Sequence, residues 1–146
     1  MEKNENLHKE LDLIQDQITR MSGNSFLVKG WTMTLMSALT AFGKETILNS
    51  KGGIIYLFMM LAILIPFWWL DAFFLRQERL FRKVYERAIL DPDAANRIRY
   101  DLRPHEKINE VHPIRHLMIK SIISWFYLPF LLLIIAGIIA KLANLI

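Results

Sequence analysis

The chain contains no cysteine, which removes disulfides, thiolate metal sites and cysteine nucleophiles together. It has no Gly-rich phosphate loop, no HExxH pattern and no recognisable nucleic-acid module. No Ser/His/Asp order and no paired carboxylates suggest catalysis, so the chain is read as no enzyme, with no catalytic residue, no metal and no cofactor. No internal repeat is visible, and the apolar stretches lack charged residues at mid-depth, which disfavours a small transporter. The opening "MEKNENLHKELDLIQDQ" is acidic and polar and is read as no signal peptide.

What is present is apolar length. Of the 146 residues, 53% are hydrophobic, above the usual share of about 45–50% for a soluble domain. Mean hydropathy is +0.26 and the pI about 9.5. The length suits one domain or one small membrane bundle. Three stretches stand out: "FLVKGWTMTLMSALTAF" from Phe26, "IIYLFMMLAILIPFWWLDAFFL" from Ile54, and "IKSIISWFYLPFLLLIIAGIIA" from Ile119. A membrane crossing needs roughly 20 apolar residues. The second and third meet this; the first is at the short limit and is read as a span or as an interfacial or buried helix.

Basic residues set the orientation. The segment from Arg76 to Lys120 holds 11 of the 18 lysines and arginines, whereas the loop from Gly43 to Gly53 has only Lys44 and Lys51. This predicts an N-terminus inside, the short loop outside and the C-terminus outside, in a bacterial inner membrane. Trp31, Trp68, Trp69 and Trp125 all fall at the inner ends, where Trp prefers to sit. The expected layout is an all-α integral membrane bundle: a cytosolic amphipathic helix over 1–24, spans over 25–43, 54–75 and 119–140, an external loop over 44–53, a basic cytosolic helical segment over 76–118, and an external tail over 141–146.

Leu7, Leu11, Ile14, Ile18 and Met21 make a heptad seam. The rhythm continues through Ser25, Val28, Thr32, Leu35, Leu39 and Phe42. "SGNS" at 22–25 lies between the halves, where Asn24 or Ser25 is a candidate cap. The seam either assembles copies or packs on the chain's own bundle or a membrane surface. A second stripe, Gly30, Thr34, Ser37, Ala41 and Lys44, carries small and hydroxyl residues, for close helix packing or the lining of a wet path.

Asp71 is the one acid within a span. An ionisable group there faces protein or water. Its own helix offers Phe74 and Leu75 where a pairing cation would be needed, so the expected partner lies on another helix: Lys29, Arg115 or Lys120, or the Trp31 indole N–H. Its depth, about one turn inside the boundary, favours a pin between helices over a midplane transport site. Pro66 and Pro129 are expected to kink their helices.

From Asp71 to Leu90 nothing interrupts a helix, and "DPDAANR" ends it. Arg76, Arg79, Arg82, Lys83 and Arg87 are candidates to contact lipid head groups or phosphates, including a nucleotide signal or nucleic acid. His105, His112 and His116 make a weak metal match, and a pH-responsive surface fits them better. Pro113 is a good first residue for the helix that carries the third span.

"LIQDQITRMSGNSFLVKGW", "FWWLDAFFLRQERLFRKVYE" and "SWFYLPFLLLII" together resemble a group of small bacterial multi-pass membrane proteins mostly without assigned function. The layout is also similar to the SLATT-type membrane effectors of anti-phage systems, from which the third span departs. That resemblance implies a small inner-membrane effector that oligomerises and permeabilises the membrane when triggered through its cytosolic part. The alternative is a non-toxic anchor or regulatory subunit that recruits a cytosolic protein. The expected partners are the lipid bilayer, further copies of the chain and a cytosolic regulator.

Overall fold

A computed structural model describes residues 2–49, 52–90, 100–104 and 109–143. Among them the chain forms four helices and no strand: α1 (Glu2–Asn49), α2 (Gly53–Leu90), α3 (Ile114–Lys120) and α4 (Ile122–Leu142). The fold is all-α. The ends of α2 and α3 leave 91–99 and 105–108, with "DPDAANR" and His105, outside the described residues, along with the tail from 144.

α1 is one helix of 48 residues, about 72 Å long at 1.5 Å per residue. It does not break at "SGNS". Gly23 costs a helix interior roughly 1 kcal/mol, but the seam on either side of it buries against the same partner helix. Ser25 caps nothing; its hydroxyl turns to Asp71 instead. α2 spans 38 residues and runs antiparallel to α1, with Tyr56 beside Leu39 and Ala88 packed with Ile14. Pro66 lies inside α2 and Pro129 inside α4 without ending either helix.

The seam of α1 follows the expected residues only part of the way. Ile14, Ile18, Ser25, Val28 and Thr32 are buried and Leu39 packs on the core, but Met36 and Gly43 turn inward in place of their expected neighbours. Leu35 and Phe42 turn out, and Phe42 is 87% exposed. A straight helix drifts about 20° per heptad from a 3.5-residue repeat, so the contact stripe slips by one residue over this length.

Two close approaches fix the hairpin. A Cβ on Gly43 would sit 2.1 Å from Cε1 of Tyr56, so only glycine lets that ring lie across α1. The Tyr56 hydroxyl then donates to the Leu39 carbonyl at 2.8 Å. A Cβ on Gly53 would meet the carbonyls of Ile47 and Thr46 at 2.8 and 2.9 Å. Lys141 of α4 donates to the Leu48 carbonyl at 3.0 Å, a cation placed on the exposed end of α1.

The molecule has a broad end and a narrow end. In the broad end α4 packs antiparallel on α2, with Gly137 against Leu57, and the core gathers Met36, Leu57, Met60, Leu64, Ile123, Tyr127 and Ile134. In the narrow end α1 and α2 continue as a two-helix stalk around Ile14, Ile18 and Ala88. Residues 100–104 strap this stalk. Leu102 packs on its core, the Tyr100 N–H donates to buried Glu10 at 3.0 Å, and the Tyr100 hydroxyl donates to the Asn6 carbonyl at 3.3 Å.

The third span was expected to begin at 119, on a helix opening at Pro113. Instead Pro113 caps a separate short helix, α3, and Ser121 stands between α3 and α4 with extended backbone, φ −110° and ψ 171°. The Ser121 hydroxyl donates to the Leu117 carbonyl and accepts from the Ile123 N–H at 3.3 Å, so one side chain closes the first helix and starts the second.

Two helices among the described residues, α2 and α4, are long and apolar enough to cross a membrane. This is compatible with a membrane protein. α1 is not one of them.

Candidate functional site

The site lies where the broad end becomes the stalk. Ser25, Lys29 and Thr32 are spaced four and three along α1, so they share one face, and that face meets Asp71 of α2 and Tyr127 of α4. Asp71 is fully buried. The Ser25 hydroxyl donates to its Oδ1. The Lys29 ammonium donates to Oδ1 at 2.8 Å and stands 2.8 Å from Oδ2. It also donates to Ser25 Oγ at 2.9 Å, closing a triangle of three side chains. Of the cations weighed for Asp71, Lys29 is the one the fold brings to it. The Lys29 side chain keeps 28% of its surface exposed, so the pair opens on one side only.

One turn further along α1, the Thr32 hydroxyl donates to the Val28 carbonyl at 2.8 Å, leaving its oxygen to accept. The Tyr127 hydroxyl lies 3.5 Å from it and 3.4 Å from the Phe67 carbonyl. Tyr127 has a single proton, so it serves one of these acceptors at a time. Trp68 stacks on its ring, centroids 5.6 Å apart and 7° from parallel. Five polar side chains from three helices thus meet inside an otherwise apolar bundle.

A buried carboxylate with one cation and one hydroxyl is stable only while its partners stay. This makes the cluster a lock. Separating α1 from α2 at this level would break the contacts of Asp71 with both Ser25 and Lys29.

The other candidate residues are scattered. Gly30, Thr34, Ser37, Ala41 and Lys44 all face outward, covered by none of the described helices, and a Cβ on Gly30 would meet nothing within 4 Å among the described residues. Thr34 satisfies its hydroxyl on the Gly30 carbonyl at 3.0 Å. Trp31 is exposed on the same side, away from Asp71.

The basic residues of α2 divide by partner. Arg76 donates to the His112 carbonyl at 3.3 Å and so ties the approach to α3 onto the stalk. Arg82 pairs with Glu78 at 2.8 Å, and Lys83 with Glu86 at 2.6 Å. Glu86 accordingly raises the Lys83 ammonium above the ordinary lysine value. Arg79, with Glu110 and His112, borders a cavity of about 190 Å³. Arg87 lies in the last turn of α2, where a cation suits the helix dipole.

His112 and His116 stack at 4.1 Å. Burial first, then the charges of His112, Lys120 and Arg79, push the His116 imidazole below the ordinary histidine value, so it is neutral at pH 7. No group of three or more metal-ligating side chains gathers among the described residues.

Sequence reasoning missed Ser25 as an Asp71 ligand, although Ser25 and Thr32, two polar residues on an otherwise apolar seam, were a signal. Nothing marked Tyr127, since periodicity is silent in a uniformly apolar helix.

Compared with known protein families, characterised proteins and solved structures, the chain finds no match, and the geometry alone carries its functional reading.

Proposed function

We propose that the chain is a small inner-membrane effector of bacterial anti-phage defence that oligomerises and permeabilises the membrane when its stalk is engaged. In this reading α1, α2 and α4 all cross the bilayer, with the stalk and α3 inside and the α1–α2 turn outside. The packing of α1 along α2 from Ser25 to Gly43 supports the third crossing. A helix docked beside a spanning partner over that length shares its depth, whatever its own hydropathy.

One observation carries the permeabilising role. The Gly30–Thr34–Ser37–Ala41 face of α1 lies uncovered beside two strongly apolar helices. Small and hydroxyl residues gain little from lipid tails and much from close approach of another helix. A second copy of the chain fits this face, and several copies would turn their hydroxyls toward a shared water path.

The Asp71–Lys29–Ser25 lock gives the trigger a route. The stalk and the bundle are parts of the same two helices, so displacing the stalk bears on the lock. The basic side chains of α2 are where a cytosolic regulator, a nucleotide signal or nucleic acid would engage.

Inducing the chain in bacteria, with its trigger supplied, while following a potential-sensitive dye tests the proposal. Depolarisation with growth arrest is expected, and bulky substitution on the stripe, Ser37→Leu or Ala41→Leu, should suppress it. Unchanged polarisation with confirmed insertion would sink the reading in favour of a silent anchor.

A further inference from the structure

Where α3 gives way to α4, the chain leaves a cavity of about 510 Å³. Trp68 of α2 forms one wall, and Lys120, Ser121, Ser124, Trp125 and Leu128 form the others. Its polarity runs in one direction. Lys120 and the two serines, its polar side chains, all stand at the α3 side, beside Ile119 and Ile122, and Leu128 lines the far side about two turns along α4.

The serine hydroxyls are already used. Ser121 donates to the Leu117 carbonyl, and Ser124 Oγ lies 2.8 Å from the carbonyls of both Met118 and Ser121. The Lys120 ammonium is different: it is exposed and has no carboxylate partner among the described residues. The start of α4 adds the positive end of a 21-residue helix. On the wall, the Trp68 indole N–H is buried and finds no acceptor among the described residues. Around the rim, Ile119, Ile122 and Trp125 are 71%, 81% and 77% exposed, a run of large apolar side chains with no protein over them.

We infer that this cavity seats one anionic phospholipid, its phosphate paired with Lys120 and its acyl chain laid along Trp125 and Leu128. The site rests on the membrane reading above. The occupant follows from the gradient. A soluble phosphate would answer Lys120 and leave the apolar wall and rim bare. A phospholipid carries a charge, a short polar neck and an apolar tail in the order in which the wall presents a cation, two serines and aliphatic side chains.

The test is native mass spectrometry of the full chain released from nanodiscs holding equal amounts of phosphatidylglycerol and phosphatidylcholine. Phosphatidylglycerol should be retained about fivefold over phosphatidylcholine, the worth of one basic side chain near an anionic lipid. Lys120→Ala should abolish the preference, and Leu128→Trp, which fills the cavity and keeps the charge, should abolish retention of either lipid. Millimolar inorganic phosphate should leave the lipid in place. Equal retention of the two lipids by the wild type, an unchanged preference in Lys120→Ala, or displacement by phosphate would overturn the site. Failure of the chain to float with vesicles would overturn the membrane reading as well, and so is told apart from loss of lipid selectivity alone.

Discussion

The broad end and the stalk share α1 and α2 but differ in the side chains those helices expose. In the stalk, apolar Ile14, Ile18 and Ala88 are inside, and the exposed surface carries ion pairs such as Lys9 with Glu5 and Arg82 with Glu78. In the broad end, Phe26, Leu27, Trp31, Met33, Ile55, Phe58 and Met59 are exposed, while Ser25, Thr32 and Asp71 are inside. The core is apolar in both ends, and it is the exposed face that turns from charged to apolar near the level of Asp71, with no break in α1 or α2. Such a change of the exposed face along a rigid rod suits the proposed passage from water into lipid, since exposed apolar surface of this extent is avoided in water. The lesson is that the Asp71 cluster and the change of the exposed pattern share one level of the molecule.

The strongest way to break the comparison is at that level. Lys29→Ala leaves Asp71 buried without its cation and should cost about 3–5 kcal/mol. Lys29→Met with Asp71→Leu should recover much of that loss, because the charge then leaves together with its partner. Unfolding in detergent measures both, and a single mutant as stable as wild type would remove the lock from the account.

Ile14→Ala should cost about 2–5 kcal/mol, confined to the stalk. Hydrogen exchange should rise over the first half of α1 while the region around Met36 stays protected; uniform loss of protection would mean that the two ends are not separable. Gly43→Val forces Tyr56 off α1 and should cost about 1–3 kcal/mol, read by the same unfolding experiment. Tyr56→Phe, which removes only one hydrogen bond, should cost about 1 kcal/mol.

The smallest effect concerns pH. His116 is held below its ordinary value of 6.5, so the folded form binds fewer protons than the unfolded one just below that pH. Its docking is unpenalised above 6.5 and weakens as pH falls through and below it. Exchange of the α3 amides at pH 5 against pH 7.5 should show faster opening at the lower value, and His116→Leu should flatten the difference.

Much of this was legible in the sequence. Runs of apolar residues marked α2 and α4, and the four-three spacing marked the inner face of α1 as far as Thr32. Asp71 announced itself as a lone acid in an apolar stretch, and Lys29 was among its candidate partners. Other features depend on information that a local pattern does not hold. Continuity through "SGNS" is set by packing on α2 from both sides, which overrides the weak helix preference of Gly23 and Asn24. The slip from Leu35 to Met36 is a phase error between 3.5 and 3.6 residues per turn that accumulates with length. The break at Ser121 follows from one serine bonding backwards and forwards at once, a choice that leaves no trace in hydropathy.

The central claim is that α1 crosses the bilayer beside α2. The absence of native cysteine makes the direct test clean. Lys44→Cys and Gln17→Cys, placed singly in the full chain, are treated with a membrane-impermeant maleimide in intact and in permeabilised bacterial spheroplasts. The account predicts that Lys44→Cys labels in intact spheroplasts and Gln17→Cys only after permeabilisation. Labelling of both positions from the same side would contradict it.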